Sequence, residues 1–227
     1  MVEISMVVPT YNESENIENL LRAVSKTLEG YDYEIIVVDD NSPDGTAGII
    51  QEYAAGVDRI RLLVRSGKLG LGSAILDGFR MAKGNYFLML DADLSHRPED
   101  IKRLIDNRKG ADIVIGSRYI KGGKIIGWPL KRRIISRSAV VLAKNLFRLK
   151  VKDPVSGFAL YKKEIFERQS RKLDPIGYKL LLEILVKSQE LTVTEIPITF
   201  LERKNGQSKL NTDEIINFIK LCWRLRI

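Results

Sequence analysis

Five times before residue 118 the sequence closes a short apolar, largely β-branched run with a polar cluster, and apolar residues at helical spacing lie between the runs. The runs are Ile4 to Val8, Glu34 to Val38, Arg61 to Val64, Tyr86 to Leu90 and Ala111 to Gly116, short enough to read as buried strands. Between them, Ile17, Leu20, Leu21, Val24 and Leu28 share one face of a helix spanning Ser14 to Leu28. A shorter helix passes through Ile49, Ile50 and Tyr53, residues 73–83 read as a third, and Pro98 suits the first turn of a fourth ending at Asn107. This rhythm predicts an α/β fold: a mostly parallel sheet with right-handed crossovers and helices on both faces. Such sheets bind ligands at the carboxyl ends of their strands. The polar clusters fall at those ends: Thr10-Tyr11-Asn12-Glu13, Asp39-Asp40, Lys68 to Gly72, Asp91 to Asp93, and Ser117-Arg118.

The second half is less regular. Gly122-Gly123 and Gly127 bracket a stretch that reads as flexible, and a basic amphipathic helix is expected from Leu130 to Leu149. Asp153-Pro154-Val155-Ser156-Gly157 forms a loop leading into Phe158 to Tyr161. Tyr178 to Lys187 reads as helix, Thr192 to Phe200 as an edge strand because it tolerates Pro197, and Thr212 to Leu225 as a final helix.

Composition removes several functions. One cysteine, Cys222, excludes an internal disulfide framework and a Cys-rich zinc site, and one histidine, His96, excludes multi-histidine metal centres. No run of about 18 apolar residues occurs, so no membrane-spanning helix is expected, and the N-terminus does not read as a signal peptide. The 227 residues, 44% hydrophobic and 29% charged, suffice for one large domain with its own core. The formal charge of +8 points to an anionic partner: nucleic acid, a phosphorylated substrate or an acidic membrane surface.

Asp91-Ala92-Asp93 carries the sharpest chemistry. In an extended segment, residues two apart point to one side, so both carboxylates would face one site. Paired hard oxygens suit Mg²⁺ or Mn²⁺ on substrate phosphates; the same spacing also serves a solvated turn with capping aspartates. Asp39-Asp40 can accept hydrogen bonds from a ribose or base edge, or form an Asx-turn. In Lys68-Leu69-Gly70-Leu71-Gly72-Ser73, backbone N–H groups and a lysine can approach phosphate at a helix start, although neither a Walker loop nor a full dinucleotide fingerprint is present. His96 reads as a turn-stabilising group rather than a general base. Cys222, on an apolar helix face, is assigned no reactivity. Arg118, Arg132, Arg133 and Arg203 suit a second anion pocket.

Taken in order, Val8-Pro9-Thr10-Tyr11-Asn12-Glu13, Val38-Asp39-Asp40-Asn41-Ser42-Pro43-Asp44-Gly45-Thr46, Lys68-Leu69-Gly70-Leu71-Gly72, Asp91-Ala92-Asp93-Leu94-Ser95-His96 and Gly116-Ser117-Arg118-Tyr119 strongly resemble the family 2 glycosyltransferases of the GT-A fold. Asp153-Pro154-Val155-Ser156-Gly157-Phe158 and Gly206-Gln207-Ser208-Lys209-Leu210 narrow the resemblance to members that mannosylate polyprenyl phosphate. It implies inverting transfer from GDP-mannose to dolichyl (polyprenyl) phosphate with Mg²⁺ or Mn²⁺. One domain over 1–227 is then expected, with 1–117 the nucleotide-sugar half and 118–227 the acceptor half with interfacial helices.

Residue by residue, the resemblance implies that Pro9, Tyr11, Glu13 and Asp39 hold the guanosine, with Val38, Asp40 and Lys68 part of the nucleotide-sugar site. It assigns Asp91 and Asp93, with Ala92 between them, to the metal and diphosphate. Ser95 stands where some relatives have a glutamine metal ligand. Arg118, Arg132 and Ser136 would meet the acceptor phosphate, Arg118 and Arg132 joining the two aspartates as catalytic residues, while Arg203 and Lys209 close over the site. The chain is expected to work peripherally at the cytoplasmic face of a membrane, with a membrane-anchoring partner subunit left open. Two other functions compete: a polyprenyl-phosphate glucosyltransferase using UDP-glucose, and a basic nucleic-acid-binding module. The second accounts for the charge of +8 but not for acidic clusters at successive strand ends, which repel a phosphate backbone, so no nucleic-acid partner is expected.

Overall fold

A computed structural model describes residues 2–169, 172–174, 179–188, 190–202 and 212–226. The expected alternation opens the chain: β1 (Ile4–Thr10), α1 (Ile17–Thr27), β2 (Tyr33–Asp39), α2 (Thr46–Ala54), β3 (Ile60–Val64), α3 (Leu71–Met81), β4 (Tyr86–Met89), α4 (Glu99–Asp106) and β5 (Ile113–Ser117). There follow β6 (Lys124–Ile126), α5 (Leu130–Phe147), β7 (Ala159–Lys162), α6 (Lys163–Gln169), α7 (Leu180–Lys187), β8 (Val193–Pro197), β9 (Thr199–Leu201) and α8 (Thr212–Arg224).

Seven strands form one sheet in the order β3-β2-β1-β4-β7-β5-β8. All neighbours are parallel except β7, which runs antiparallel to both β4 and β5. Every residue of β1 and β2 is buried, because helices cover both faces and alternate side chains serve two cores. Ile4, Met6, Val8, Ile35 and Val37 point into one core with α1 and α4, whereas Val7, Ile36 and Val38 point into the other with α3 and α7. Full burial of an aliphatic side chain contributes roughly 1.5–3 kcal/mol, so these two layers dominate the stability.

Three expectations need correction. The edge strand read over Thr192 to Phe200 is two strands in different sheets. After Pro197 pairs with Ser117, the chain leaves the main sheet, and Thr199–Leu201 pairs in parallel with β6. The stretch between Gly122 and Gly127, read as flexible, therefore carries a strand. The third correction concerns α5. Its buried stripe is Ser136, Val140, Ala143 and Phe147, which joins Leu182 of α7 and Phe218, Leu221 and Cys222 of α8 in a third core. Helical spacing puts Ile135, Ala139, Leu142, Leu146 and Leu149 on one stripe expected to face a membrane. Of these, Ala139, Leu146 and Leu149 pack against that core, while Leu142 is 48% exposed.

Candidate active site

Register decides which clusters meet. Pro9 pairs with Val38 and Thr10 with Asp39, while Val7 pairs with Met89 on the other side of β1. The loops after β3, β2, β1 and β4 therefore lie in a row along one sheet edge. Asn12, Asn41 and Leu94, in three of these loops, hold φ values of 56°, 57° and 58°. Left-handed backbone is uncommon outside glycine and is stored most often at functional loops.

In the loops after β1, β2 and β3 the carboxylates are already engaged. Asp39 is fully buried; Thr10 and Ser42 donate their hydroxyls to Oδ1 at 2.8 and 2.6 Å, and the Ser42 N–H donates to Oδ2 at 2.8 Å. This is the Asx-turn alternative realised in the protein alone. Asp40 ties down the glycine loop: its Oδ2 accepts the Gly70 N–H at 2.9 Å, and its Oδ1 meets buried Arg65 at 2.6 Å. Arg65 also donates to the Gly70 carbonyl and the Ser73 hydroxyl. Sequence reading passed over Arg65, since one arginine at a strand end gives no pattern. Glu13 is buried, accepts from Asn16 at 2.9 Å, and its backbone N–H donates to the Thr46 hydroxyl. Lys68 reaches across the row, its ammonium 4.1 Å from the centre of the Tyr11 ring.

Asp91, Ala92 and Asp93 lie in a turn beyond β4, so the two-residue periodicity of a strand does not orient them. Asp91 opens onto a pocket, whereas Asp93 is buried and accepts the Ser95 N–H at 3.0 Å. The Ser95 hydroxyl is buried with no hydrogen-bond partner among the described residues. His96 is buried between rings, stacked on Phe158 and edge-on to Phe200, both with centroids 4.8 Å away. Its Nε2 is 3.8 Å from Asp91 Oδ2. Burial, and Arg118 nearby, outweigh Asp93 and Asp153 and push His96 down to about 4, so it stays neutral near pH 7. Gly157 borders this corner, and a Cβ there would make ordinary contacts of 3.4 Å with Asp91 Oδ2 and 3.9 Å with His96 Nε2.

The pocket has a volume of about 430 Å³. Its charged lining is Asp91, Arg118, Arg132, Lys179 and Glu214, joined by the Ser136 hydroxyl, and α5 and α8 add the apolar side chains of Ile135, Leu142, Ile215, Phe218 and Ile219. Arg118 is gripped by fully buried Asp153, with Nε and Nη2 each donating at 2.8 Å. Burial alone would lower the guanidinium pKa, but Asp153 more than offsets it and the pKa is raised. Arg132 lies 4.1 Å above the Trp128 ring with Nη1 3.4 Å from Glu202. Ser136 accepts the Tyr119 hydroxyl at 2.8 Å. Three expected acceptor residues thus share one cavity with Asp91. Arg133 donates instead to the Trp128 and Ile125 carbonyls, outside that group. The expectations for Arg203, Lys209 and the motif at Gly206 to Leu210 lie outside the described residues.

Comparison with known proteins fits this architecture. The model of glycosyl transferase family 2 matches residues 5–169, and the chain belongs to that family. It is 43% identical to a dolichol-phosphate mannosyltransferase of Pyrococcus furiosus, over 99% of this chain and 64% of the relative. The chain thus spans just under two thirds of that relative's length. It is 37% identical to the polyprenol monophosphomannose synthase of Mycolicibacterium smegmatis, over 92% of this chain and 82% of the other. Among solved structures, glucosyl-3-phosphoglycerate synthase from Mycobacterium tuberculosis, with Mn²⁺, UDP-glucose and phosphoglyceric acid, superposes with a TM-score of 0.71 at 20% identity. That match covers 99% of this chain and 78% of the synthase, and it shows a shared fold.

Proposed function

We propose that this protein transfers mannose from GDP-mannose to the phosphate of a polyprenyl (dolichyl) lipid, with inversion at the anomeric carbon. The observation that carries this reading is the pocket. Its lining brings Arg118, Arg132 and Ser136 together with Asp91 and with apolar side chains from two helices, α5 and α8. That combination suits a phosphate monoester with a hydrocarbon tail. The printed names of the two relatives point to the same acceptor chemistry.

The acceptor needs no base. A phosphate monoester has a second pKa of about 6, so its oxygen is already an anionic nucleophile at neutral pH. That oxygen attacks the anomeric carbon opposite the leaving group; the new C–O bond forms as the bond to the diphosphate breaks and GDP departs with the electron pair. Neutral His96 has no proton to remove. Arg118 and Arg132 offset the repulsion between the two anions and orient the acceptor. In this reading Pro9, Tyr11, Glu13, Val38, Asp39, Asp40 and Lys68 hold the nucleotide end. The residues after β4 fit a divalent ion: two carboxylates and the orphaned Ser95 hydroxyl are hard oxygen donors, with the remaining positions left to substrate. Asp91, Asp93 and Ser95 would hold Mg²⁺ or Mn²⁺, which when bound supplies Lewis-acid stabilisation of the diphosphate.

The test is transfer of radiolabelled mannose from GDP-mannose to a short polyprenyl phosphate, with Mn²⁺, Mg²⁺ or chelator. Metal-dependent, butanol-extractable label is expected. Transfer from UDP-glucose in place of GDP-mannose would reassign the donor.

A further inference from the structure

We infer that Asp153 is a positioning residue for the proposed transfer: it fixes which edge of the Arg118 guanidinium faces the acceptor phosphate. The inference rests on the reading of the pocket as the acceptor site. It starts from topology. Because β7 runs antiparallel to β5, with Ala159 opposite Ile115, the loop entering β7 lies at the carboxyl end of β5, just where Arg118 follows. That loop is fastened from two sides. Ser156 donates its hydroxyl to the Gly116 carbonyl at 2.7 Å, and Glu195 of β8 accepts the Lys152 and Asp153 N–H groups at 2.7 and 3.0 Å. Asp153, held in this way, is fully buried. It accepts three hydrogen bonds from Arg118: the backbone N–H at 3.0 Å, and Nε and Nη2 at 2.8 Å each.

A guanidinium carries five N–H donors in one rigid plane. Two are committed to Asp153, and the other three, on Nη1 and the outer side of Nη2, have no hydrogen-bond partner among the described residues. The ring centres of Tyr119, Phe200 and Trp128 lie 5.4, 5.6 and 5.9 Å from the guanidinium carbon, which leaves the plane little room to turn. Arg118 lines the pocket, so with one edge locked the Nη1 edge is the one left for an anion there. Net stability is a poor reason for such a pair, since apolar side chains of equal volume often serve as well. Attraction makes the opposite demand, because a carboxylate against Arg118 weakens its pull on a phosphate. Orientation is what the carboxylate supplies. A misplacement of about 1 Å can cost roughly 100-fold in rate. Removing the Asp153 charge should therefore spoil the aim of Arg118 without weakening ground-state binding of the acceptor.

The experiment compares the wild-type chain with Asp153→Asn and Asp153→Glu, using farnesyl phosphate as acceptor. Asparagine keeps one oxygen but turns the other acceptor into a donor facing the guanidinium. For Asp153→Asn, kcat should fall about 100-fold, while the acceptor KM, farnesyl phosphate affinity by calorimetry and GDP affinity with Mn²⁺ stay within about threefold. Glutamate keeps the charge but moves it by one methylene, so its kcat should fall about tenfold. The phosphorus NMR signal of bound farnesyl phosphate should shift in both variants. Wild-type kcat in Asp153→Glu makes the residue a simple counter-charge, and wild-type kcat in Asp153→Asn removes any role. A raised acceptor KM with unchanged kcat makes it a binding group instead. Parallel losses of acceptor and GDP affinity with a lowered melting temperature make it a structural one. Each of these results overturns the inference. If Asp153→Asn does not fold, Asp153→Glu decides alone; if neither folds, the pair is a folding element and the inference falls. Wild type that binds farnesyl phosphate but transfers from neither GDP-mannose nor UDP-glucose sinks the transfer reading, and the NMR comparison then decides Asp153. Wild type that binds no farnesyl phosphate overturns the acceptor reading and the inference together.

Discussion

At Asp93 one carboxylate oxygen accepts the Ser95 N–H, while Asp91, two residues earlier, opens onto the pocket next to His96 and Gly157. The difference makes a test possible. Asn at position 93 keeps an oxygen for the Ser95 N–H but loses the charge, so the turn should survive. Asp93→Asn is expected to lower mannosyl transfer by about 100-fold or more, the scale of losing a transition-state charge partner, with the melting temperature nearly unchanged. Asp91→Asn should be crippled likewise. Wild-type turnover by Asp93→Asn across a range of Mn²⁺ concentrations would remove the metal assignment. The carboxylates were legible in the sequence because they close an apolar run, but their orientation was not, since it depends on a turn with Leu94 in left-handed backbone. Arg65 was illegible for another reason. It acts through Asp40, 25 residues away in sequence, and a single cation beside an ordinary strand carries no local pattern.

Elements meet where polar side chains cross between them, and Glu34 is the clearest instance. From β2 it accepts the Ser5 hydroxyl of β1 at 2.6 Å, the Lys83 N–H before β4 at 2.6 Å, and Arg61 of β3 at 3.0 Å. Ser5 accepts the Gly84 N–H in turn, and Gly84 must lack a Cβ, which would lie 2.7 Å from the Ser5 nitrogen. Burial would raise the Glu34 pKa, but Ser5, the Lys83 N–H and Arg61 together hold it below its ordinary value. The unfolded chain therefore takes up this proton first as pH falls. The contribution of Glu34 is full above the ordinary glutamate range and is lost as pH drops through the lower folded value. Glu34→Gln should melt at a lower temperature than wild type at pH 7, and the gap should narrow toward pH 3. A gap independent of pH, followed by circular dichroism, would show that the charge contributes nothing. The same long-range character limits sequence reading of the fold. Alternating runs revealed β1 to β5 because their periodicity is local, whereas β7 enters the sheet antiparallel between β4 and β5, and the chain changes sheets at Pro197. Those choices are made by pairing partners dozens of residues away.

At the scale of the whole molecule, the two helices that supply apolar pocket lining also expose apolar side chains. No helix among the described residues is long and apolar enough to cross a membrane. Yet Leu130 and Ile134 of α5 and Ile219 and Trp223 of α8 are 73%, 56%, 54% and 71% exposed. Exposed Lys131, Arg133 and Arg137 on α5 and Lys220 on α8 accompany them. Apolar side chains edged by cations suit the headgroup boundary, where each lysine or arginine near an anionic leaflet contributes roughly 1 kcal/mol. The proposed acceptor, with its long hydrocarbon tail, has to be met at that boundary, because its phosphate cannot travel far from it. Since Ala139, Leu146 and Leu149 pack inward, the docking face is expected to be the start of α5 and the outer side of α8. The wild-type chain should co-sediment with vesicles containing phosphatidylglycerol, bind less as salt rises, and bind weakly to neutral phosphatidylcholine. Leu130→Glu combined with Ile134→Glu should reduce vesicle binding about tenfold or more, since several buried methylenes at roughly 0.8 kcal/mol each are replaced by anions. The double variant should still bind GDP with Mn²⁺ at wild-type affinity. If the folded wild-type chain ignores anionic vesicles at low salt, these helices do not dock by themselves. A partner subunit would then have to bring the chain to the proposed lipid acceptor, and restored transfer on adding that subunit would be the observation that distinguishes the two arrangements.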